Sequence, residues 1–233
     1  MIKLRNLLIA AIAIVGLSTS ASAGTFGVGV AGTFANINAD GTETEGTEAD
    51  ASPRTAAATN TAWIGSIFAE YTMDGLGGMT LGIDYIPGSA DVNSKDISRT
   101  DTELSQEGTQ AHTTASVKRT AQAEVENHIT YYAEIPVTAG IYAKGGIVTM
   151  DVNTTENIGT TKKYGNTDVD GLLFGLGYKT SGSGSLYYKL EATHTSFDGL
   201  SLSETGQSTN SPANKITADL DVTKATFAIG YAF

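Results

Sequence analysis

Residues 226–233 read TFAIGYAF, and this short stretch decides the fold class. Phe227, Ile229, Tyr231 and Phe233 recur at every second position, with small residues between them. Period two is the period of a β-strand whose two faces meet different surroundings. An apolar face that carries aromatic residues at its ends fits a strand that crosses a lipid bilayer.

The same alternation recurs through most of the chain. Besides the last segment, 216–233, it predicts strands within 26–34, 63–72, 79–85, 125–135, 141–152, 169–180 and 185–197. Each segment is roughly as long as a tilted strand that crosses the hydrocarbon core. The sequence therefore contains eight candidate membrane-spanning strands.

The connections between these segments alternate between short and long. Three are short turns with glycine, at 74–78, 136–140 and 180–184, and four are long and polar, at 38–60, 87–122, 153–168 and 198–215. An outer-membrane barrel has short periplasmic turns on one rim and long extracellular loops on the other. A soluble β-sandwich or a lipocalin-like barrel, the alternative, gives no reason for this segregation. We therefore predict an all-β, eight-stranded antiparallel up-and-down transmembrane β-barrel.

The N-terminus predicts export. Lys3 and Arg5 precede an apolar or neutral run over 7–17, and Ala21 to Ala23 form an A-x-A cleavage site. These are the parts of a secretory signal peptide. We expect residues 1–23 to be cleaved and residues 24–233 to form the barrel domain.

Composition excludes several functions. The formal net charge is −11, which repels nucleic acid phosphates, so no nucleic acid partner is expected. The chain has no cysteine, which excludes disulfides and thiolate chemistry.

Charged residues fall on the strand face opposite the bulky apolar ones. By parity these are Glu70, Asp84, Glu134, Lys144, Lys179, Lys189, Glu191 and Lys224. On a soluble protein they would form a solvated surface. Among small residues on nearly every strand, they favour a narrow lumen in which acids and bases pair. The large inward candidates are Phe68, Tyr132, Tyr142 and Tyr187. The sequence therefore predicts a polar, salt-bridge-plugged lumen.

The chain also resembles a known family. A last strand that ends aromatic-x-aromatic with terminal Phe, here Tyr231 and Phe233, resembles the assembly signal of Gram-negative outer-membrane proteins. The segments FAEYTMDGLGGMTLGIDYIPG, 68–88, and YYKLEATHTSFDGL, 187–200, resemble strands of small barrels such as OmpX, the OmpA barrel domain and OmpW. The resemblance implies that Phe227, Ile229, Tyr231 and Phe233 are read by the barrel-assembly machinery.

Two aromatic girdles are expected at the membrane boundaries. Tyr71, Tyr85, Tyr131, Tyr178 and Tyr231 form the predicted periplasmic girdle, and Trp63 the opposite one.

Three further patterns suggest sites, and each has a simpler interpretation. Gly27, Gly29 and Gly32 spell the G-x-G-x-x-G of a dinucleotide fold. No helix pattern follows, so Gly27 and Gly29 are interpreted as lumen positions that leave room for charged side chains from other strands.

The histidines are the second pattern. His112 lies in a long loop, and His128 falls inward beside Glu124 and Glu126, where a metal site is less expected than a polar strand end. His194 and Ser196 form H-x-S on one face, which resembles lipid A deacylase barrels. Asp198 and Glu204 are the nearest acids that could orient the histidine. An interfacial polar residue is the expected role of His194.

The third pattern is a set of acidic clusters in two long loops. Their members are Asp40, Glu43, Glu45, Glu48, Asp50, Asp91, Asp96, Asp101, Glu103 and Glu107. No calcium-loop spacing is present, so a solvated fringe is expected rather than a bridge of divalent cations to lipopolysaccharide.

We expect a non-enzymatic structural or surface-interaction protein of the outer membrane. It has both termini in the periplasm, contacts lipopolysaccharide, needs no cofactor and is monomeric. A small-solute channel and, less favoured, a lipid A-modifying enzyme are the alternatives.

Overall fold

The computed structural model describes residues 24–44, 53–92, 97–103, 106–107, 110–111, 115–157, 163–205 and 214–233. The predicted signal peptide lies outside these residues. The strands are β1 Gly24–Thr44, β2 Arg54–Met73, β3 Met79–Ile86, β4 Ala90–Asp91, β5 Ile97–Glu103, β6 Gln106–Glu107, β7 Gln110–Ala111, β8 Ala115–Thr138, β9 Ile141–Asn157, β10 Thr167–Ser181, β11 Leu186–Phe197, β12 Leu200–Ser203 and β13 Lys215–Ala232. One 3-10 turn, Asp74–Leu76, joins β2 to β3.

Eight of these strands form a closed antiparallel barrel. They follow the order β1, β2, β3, β8, β9, β10, β11, β13, and β13 pairs again with β1. The predicted fold class is confirmed. Closure satisfies backbone hydrogen bonds around the wall, as a lipid environment requires.

The barrel is sheared by ten residues. If one starts at Phe26 on β1 and steps from each residue to its ladder partner on the next strand, the path returns to β1 at Asn36. A shear somewhat larger than the strand number tilts the strands by about 40° and leaves an interior that side chains can fill.

The ladders continue far into segments predicted as long loops. β1 and β2 pair as far as Glu43 and Arg54, and β1 and β13 pair as far as Thr44 and Lys215. Because the strands are tilted, the 21 residues of β1 span about 50 Å along the barrel axis. This is about twice the height of the apolar band, which is about 25 Å. The predicted loop bounds were therefore wrong, because Thr- and Ala-rich polar strands keep pairing beyond the membrane.

The three short connections are tight turns at one end of the barrel, called here the short-turn end. Ala139 and Gly140 join β8 to β9 with φ of 42° and 83°, and the flanking residues Thr138 and Ile141 are paired. Two consecutive positive φ values are those of a two-residue hairpin turn. The opposite end is called the long-loop end.

The outer face is the apolar face. Side chains such as Val30, Ile67, Leu172, Leu190 and Phe227 are exposed on it. Within the described residues, no helix is long and apolar enough to span a membrane.

Candidate functional site

A cluster of six charged side chains crosses the lumen near the short-turn end. This base cluster consists of Glu70, Glu134, Glu191, Lys144, Lys179 and Lys189. Each lies within five residues of the end of its strand at the short-turn end. Three carboxylates face three ammonium groups, so the cluster is formally neutral.

Lys189 is the centre of the base cluster. Its Nζ donates to Glu70 Oε2 at 2.9 Å and to Glu134 Oε1, and it lies 3.3 Å from Glu191 Oε1. Lys144 donates to Glu191 Oε2 at 2.7 Å, and Lys179 to Glu70 Oε1 at 2.6 Å. Buried charges are tolerated only when they are paired in this way.

Aromatic side chains close the remaining space around these charges. Tyr132 donates to Glu70 Oε2 at 3.0 Å, and Tyr142 donates to Glu191 Oε1 at 2.5 Å. The Lys144 ammonium lies 3.9 Å from the centre of the Tyr132 ring. Hydroxyl donors and ring faces thus satisfy the charges where water is scarce.

Glycines on neighbouring strands receive these rings. A Cβ on Gly82 would lie 2.2 Å from Tyr132 Cζ, and one on Gly29 would lie 2.4 Å from Phe68 Cζ. A Cβ on Gly27 would lie 2.6 Å from the Tyr187 hydroxyl oxygen. The sequence interpretation of Gly27 and Gly29 was wrong in one respect, because they make room chiefly for aromatic rings rather than for charged side chains.

Above the base cluster, the lumen becomes apolar. The buried side chains of this apolar chamber are Val148, Met150, Val152, Val169, Leu173 and Phe197. Ala123, Val125, Leu200, Leu220 and Val222 pack against them. The expectation of a lumen that is polar throughout was therefore wrong, because strands β9, β10 and β11 turn apolar residues inward toward the long-loop end.

Among the described residues, the barrel wall has an opening between β2 and the β3–β4 segment. The β2–β3 ladder ends at Ile67 and Tyr85, while β2 continues to Arg54 with β1 as its ladder partner. β4 and β5 pair with β8 instead. In the part of the chain that the structure describes, a side-chain hydrogen bond crosses the opening from Asn60 Nδ2 to Val92 O at 3.4 Å.

A cavity of about 220 Å³ occupies this opening and reaches into the lumen. It is lined on the outer side by Trp63 and Gly65, at the edge by Pro87 and Gly88, and on the inner side by apolar-chamber residues such as Phe197. Ser66 lies seven residues from the end of β2, so the opening begins about 18 Å above the short-turn end. At this height the cavity lies in the half of the apolar band that is nearer the long-loop end.

Lys224 and His128 are the basic groups that line this cavity. Neither they nor Asp84 belongs to the base cluster. Asp84 accepts a hydrogen bond from Ser66 Oγ at 2.8 Å. Thus two of the eight predicted lumen charges, Asp84 and Lys224, form a separate layer near the middle of the barrel.

The predicted neighbours of His128 were wrong. A bulge at Asn127, φ 51°, shifts the register of β8 between Glu126 and Ile129. Because Val125 packs on the apolar chamber, Glu124 and Glu126 turn to the other face, away from His128. Among the described residues, no group of three His, Asp or Glu side chains is arranged to hold a metal. His112 lies outside them.

His194 lies on the outer wall, where Nδ1 is 3.0 Å from Thr223 Oγ1 and Nε2 is 3.7 Å from Asp221 Oδ1. Both ring nitrogens thus face groups other than Ser196, which would be the nucleophile in the less favoured enzyme alternative. The acid beside His194 is Asp221 on β13, not Asp198 or Glu204. Strand register places Asp221 directly opposite Ser196, which spacing along one strand could not indicate.

Glu204 instead belongs to a buried contact at the long-loop end. Its Oε2 accepts from Asn214 N at 3.3 Å, and the nearby segment pairs Lys163 with Thr205. Tyr164 donates to Glu43 Oε1 at 3.0 Å, and burial together with this carboxylate raises the pKa of Tyr164 well above its usual range. Part of the predicted solvated fringe is therefore ordered.

The other acidic loop residues are only partly covered. Asp40 and Asp91 lie on strands β1 and β4, and Asp101, Glu103 and Glu107 on β5 and β6. Glu45, Glu48, Asp50 and Asp96 lie outside the described residues.

The predicted girdle residues occupy two levels. Tyr71, Tyr178 and Tyr231 lie close to the short-turn end, and Tyr178 and Tyr231 are exposed. Tyr85 and Tyr131 lie on adjacent strands near mid-height, and Tyr131 is only 8% exposed, so neither belongs to that girdle. Trp63 is 82% exposed and packs on Phe34 with ring centres 5.2 Å apart.

The terminal aromatic residues pack along the wall at the short-turn end. Phe227, Tyr231 and Phe233 are exposed, and the Tyr231 and Phe233 ring centres are 5.1 Å apart. The Phe233 backbone N–H donates to Phe26 O at 2.8 Å, which extends the β1–β13 seam to the last residue.

Comparisons with known proteins agree with this architecture. Residues 7–233 match the family described as outer membrane protein beta-barrel domain. No curated protein sequence matches the chain.

Solved structures of similar shape include three outer-membrane proteins. OprG from Pseudomonas aeruginosa shares 12% identity, with 91% of this chain and 97% of that chain covered and a TM-score of 0.41. AlkL, solved by solid-state NMR in lipid bilayers, shares 9% identity, with 93% of each chain covered and a TM-score of 0.45. The protease OmpT from Escherichia coli shares 8% identity, with 93% and 100% covered and a TM-score of 0.47. Likeness at this level assigns no activity.

Proposed function

This chain belongs to the outer membrane protein β-barrel domain family, and on that premise we propose that it is a non-conducting barrel that binds small apolar molecules. The short-turn end and both termini face the periplasm, and the long-loop end faces outward. The barrel works as a monomer and as a binding protein rather than an enzyme.

One observation carries this proposal, namely the division of the lumen into two unlike parts. The base cluster and its aromatic residues fill the short-turn end, and Lys189 at its centre is 2% exposed. An eight-stranded lumen so filled leaves no axial path for solutes. The apolar chamber, in contrast, continues into the cavity at the side opening.

The cavity has the features of a small-molecule site. It is concave, mostly apolar and carries few polar groups, as ligand pockets do. Because Trp63 and Gly65 belong to its outer rim, a molecule dissolved in the outer leaflet can enter through the wall without crossing the loops. The side opening therefore supports exchange of apolar molecules between chamber and membrane.

The alternative function, an ion or small-solute channel, requires an axial path through the lumen, and the base cluster fills that path.

Trp63 provides a direct test, because it is the single tryptophan of the chain and lies at the cavity. The chain is refolded into lipid nanodiscs and titrated with 8-bromooctan-1-ol, whose bromine quenches a tryptophan that it contacts. We expect saturable quenching of Trp63 that unlabelled octan-1-ol reverses. Refolding is verified by heat-modifiable migration on a gel.

A matched variant separates binding from simple partition into the bilayer. The double substitution Trp63→Phe, Phe174→Trp moves the tryptophan to an exposed position on β10, away from the opening. Its quenching should rise linearly with the probe in the lipid. Equal, non-saturating quenching of both proteins would refute the proposed function.

A further inference from the structure

Two basic side chains line the cavity at the side opening, and they indicate the class of molecule that it binds. Its walls are mostly apolar, but Lys224 from β13 and His128 from β8 also line it. A cation that lines an apolar cavity is unusual, because burial without a partner is costly.

Lys224 makes no close ion pair within the described residues, whereas the three lysines of the base cluster each do. Asp84 is the acidic member of the layer that contains Lys224. The Asp84 carboxylate is engaged by Ser66 and forms no salt bridge with Lys224. Lys224 thus keeps donor capacity for a group that enters the cavity.

His128 supplies a second polar group, whose ring nitrogen donates a hydrogen bond when it carries the proton. Its Nδ1 is buried and has no hydrogen-bond partner among the described residues. A buried ring nitrogen without a partner is rare in proteins, since each one carries a desolvation cost. His128 shares the inward face of β8 with Thr130 and Tyr132, and the bulge at Asn127 turns Glu124 and Glu126 away from it.

We propose that the cavity binds single-chain amphiphiles with one carboxylate, with the carboxylate on Lys224 and His128 and the hydrocarbon tail toward Trp63. This inference rests on the proposed function and names its ligand class. A volume of about 220 Å³ holds roughly seven groups the size of water, at about 30 Å³ each. A chain of about eight carbons therefore fills the cavity, and a longer tail passes through the opening into the lipid.

The test compares two probes of equal length, 8-bromooctanoate and 8-bromooctan-1-ol, by quenching of Trp63 in nanodiscs at neutral pH. The carboxylate should reach half-saturation at a concentration about tenfold lower than the alcohol, as a charged hydrogen bond provides. Lys224→Met should remove this advantage and leave alcohol binding unchanged, while Lys224→Arg should retain most of it.

Two further variants keep the test decisive even if Lys224→Met fails to refold. Asp84→Asn removes the competing negative charge and should strengthen carboxylate binding several-fold without affecting the alcohol. His128→Leu should weaken carboxylate binding alone.

The outcomes separate the two proposals. Saturable alcohol quenching with no carboxylate advantage, or an advantage that survives both Lys224→Met and His128→Leu, would overturn this inference and leave the proposed function intact. Absence of saturable quenching by either probe would overturn both.

Discussion

The two halves of the lumen are filled by side chains of opposite character, charged at the short-turn end and apolar toward the long-loop end. At the short-turn end, six charged side chains and their aromatic neighbours fill the interior, and the wall around them is fully paired. Toward the long-loop end, aliphatic side chains line the interior, and the wall is open between β2 and β4. Under the proposed function, the charged half closes the lumen and the apolar half is where a molecule enters.

The largest expected effect is on the seal. Lys189→Met removes the cation that contacts Glu70, Glu134 and Glu191. Leaving buried carboxylates without their partner should lower the free energy of unfolding by about 3–5 kcal/mol. Urea unfolding in lipid vesicles, followed by heat-modifiable migration, measures this change.

Lys179→Met is the matched control, because the Lys179 side chain is 29% exposed and pairs with Glu70 alone among the described residues. Its effect should be clearly smaller. Equal losses from the two variants would contradict the central position of Lys189.

The apolar chamber should respond as an ordinary core. Leu173→Ala removes a buried side chain of the chamber, and we expect a loss of about 2–3 kcal/mol. The adjacent Leu172 is exposed on the outer face, so Leu172→Ala should cost less in the same urea assay. The reverse ranking would show that the two faces of β10 had been interchanged.

Alanine substitutions at two glycines should have smaller effects on stability, and the two effects should differ clearly. A Cβ at Gly82 would collide with the Tyr132 ring at 2.2 Å, so Gly82→Ala should destabilise the barrel by about 1–2 kcal/mol. Gly32 has nothing within 4 Å of the same position, so Gly32→Ala should change stability by less than about 0.5 kcal/mol. Comparable urea midpoints for the two variants would contradict the ring contact.

The smallest effect on stability is expected at the side opening. Gly65 lines the cavity, and a Cβ there meets nothing within 4 Å, so Gly65→Phe should alter stability by less than about 0.5 kcal/mol. The ring should occupy the entrance and weaken 8-bromooctan-1-ol binding about tenfold, because a loss of that size corresponds to a small apolar contact area. Unchanged binding would place the ligand elsewhere.

The sequence predicted the seal better than the entrance. Parity along each strand placed Glu70, Glu134, Lys144, Lys189 and Glu191 on one face, and the structure brings these five together. Charges are sparse in spanning strands, so a shared face is a strong signal of a lumen.

The sequence also contained a sign of the apolar chamber, but it interrupts the alternation of apolar and polar residues and is easily missed. Ile147 and Val148 are adjacent apolar residues, so both faces of β9 are apolar there, as in a strand that is buried on two sides. The inward members, Val148 and Met150, follow from the same parity that placed Lys144 inward.

Three features depend on pairing between distant segments and could not be predicted. The bulge at Asn127 moves Glu124 and Glu126 away from His128. The side opening follows because β4 and β5 pair with β8 rather than with β2, although Pro87 and Gly88 indicate where β3 ends. The contact of His194 with Asp221 depends on the register of β11 against β13.

The central claim is that the base cluster seals the lumen while the chamber opens sideways. Planar-bilayer conductance of the refolded chain tests it most directly, in samples whose folding is verified by heat-modifiable migration. A lumen closed by the base cluster should give no stepwise conductance from the wild-type barrel. Stable, ion-selective conductance steps would contradict it.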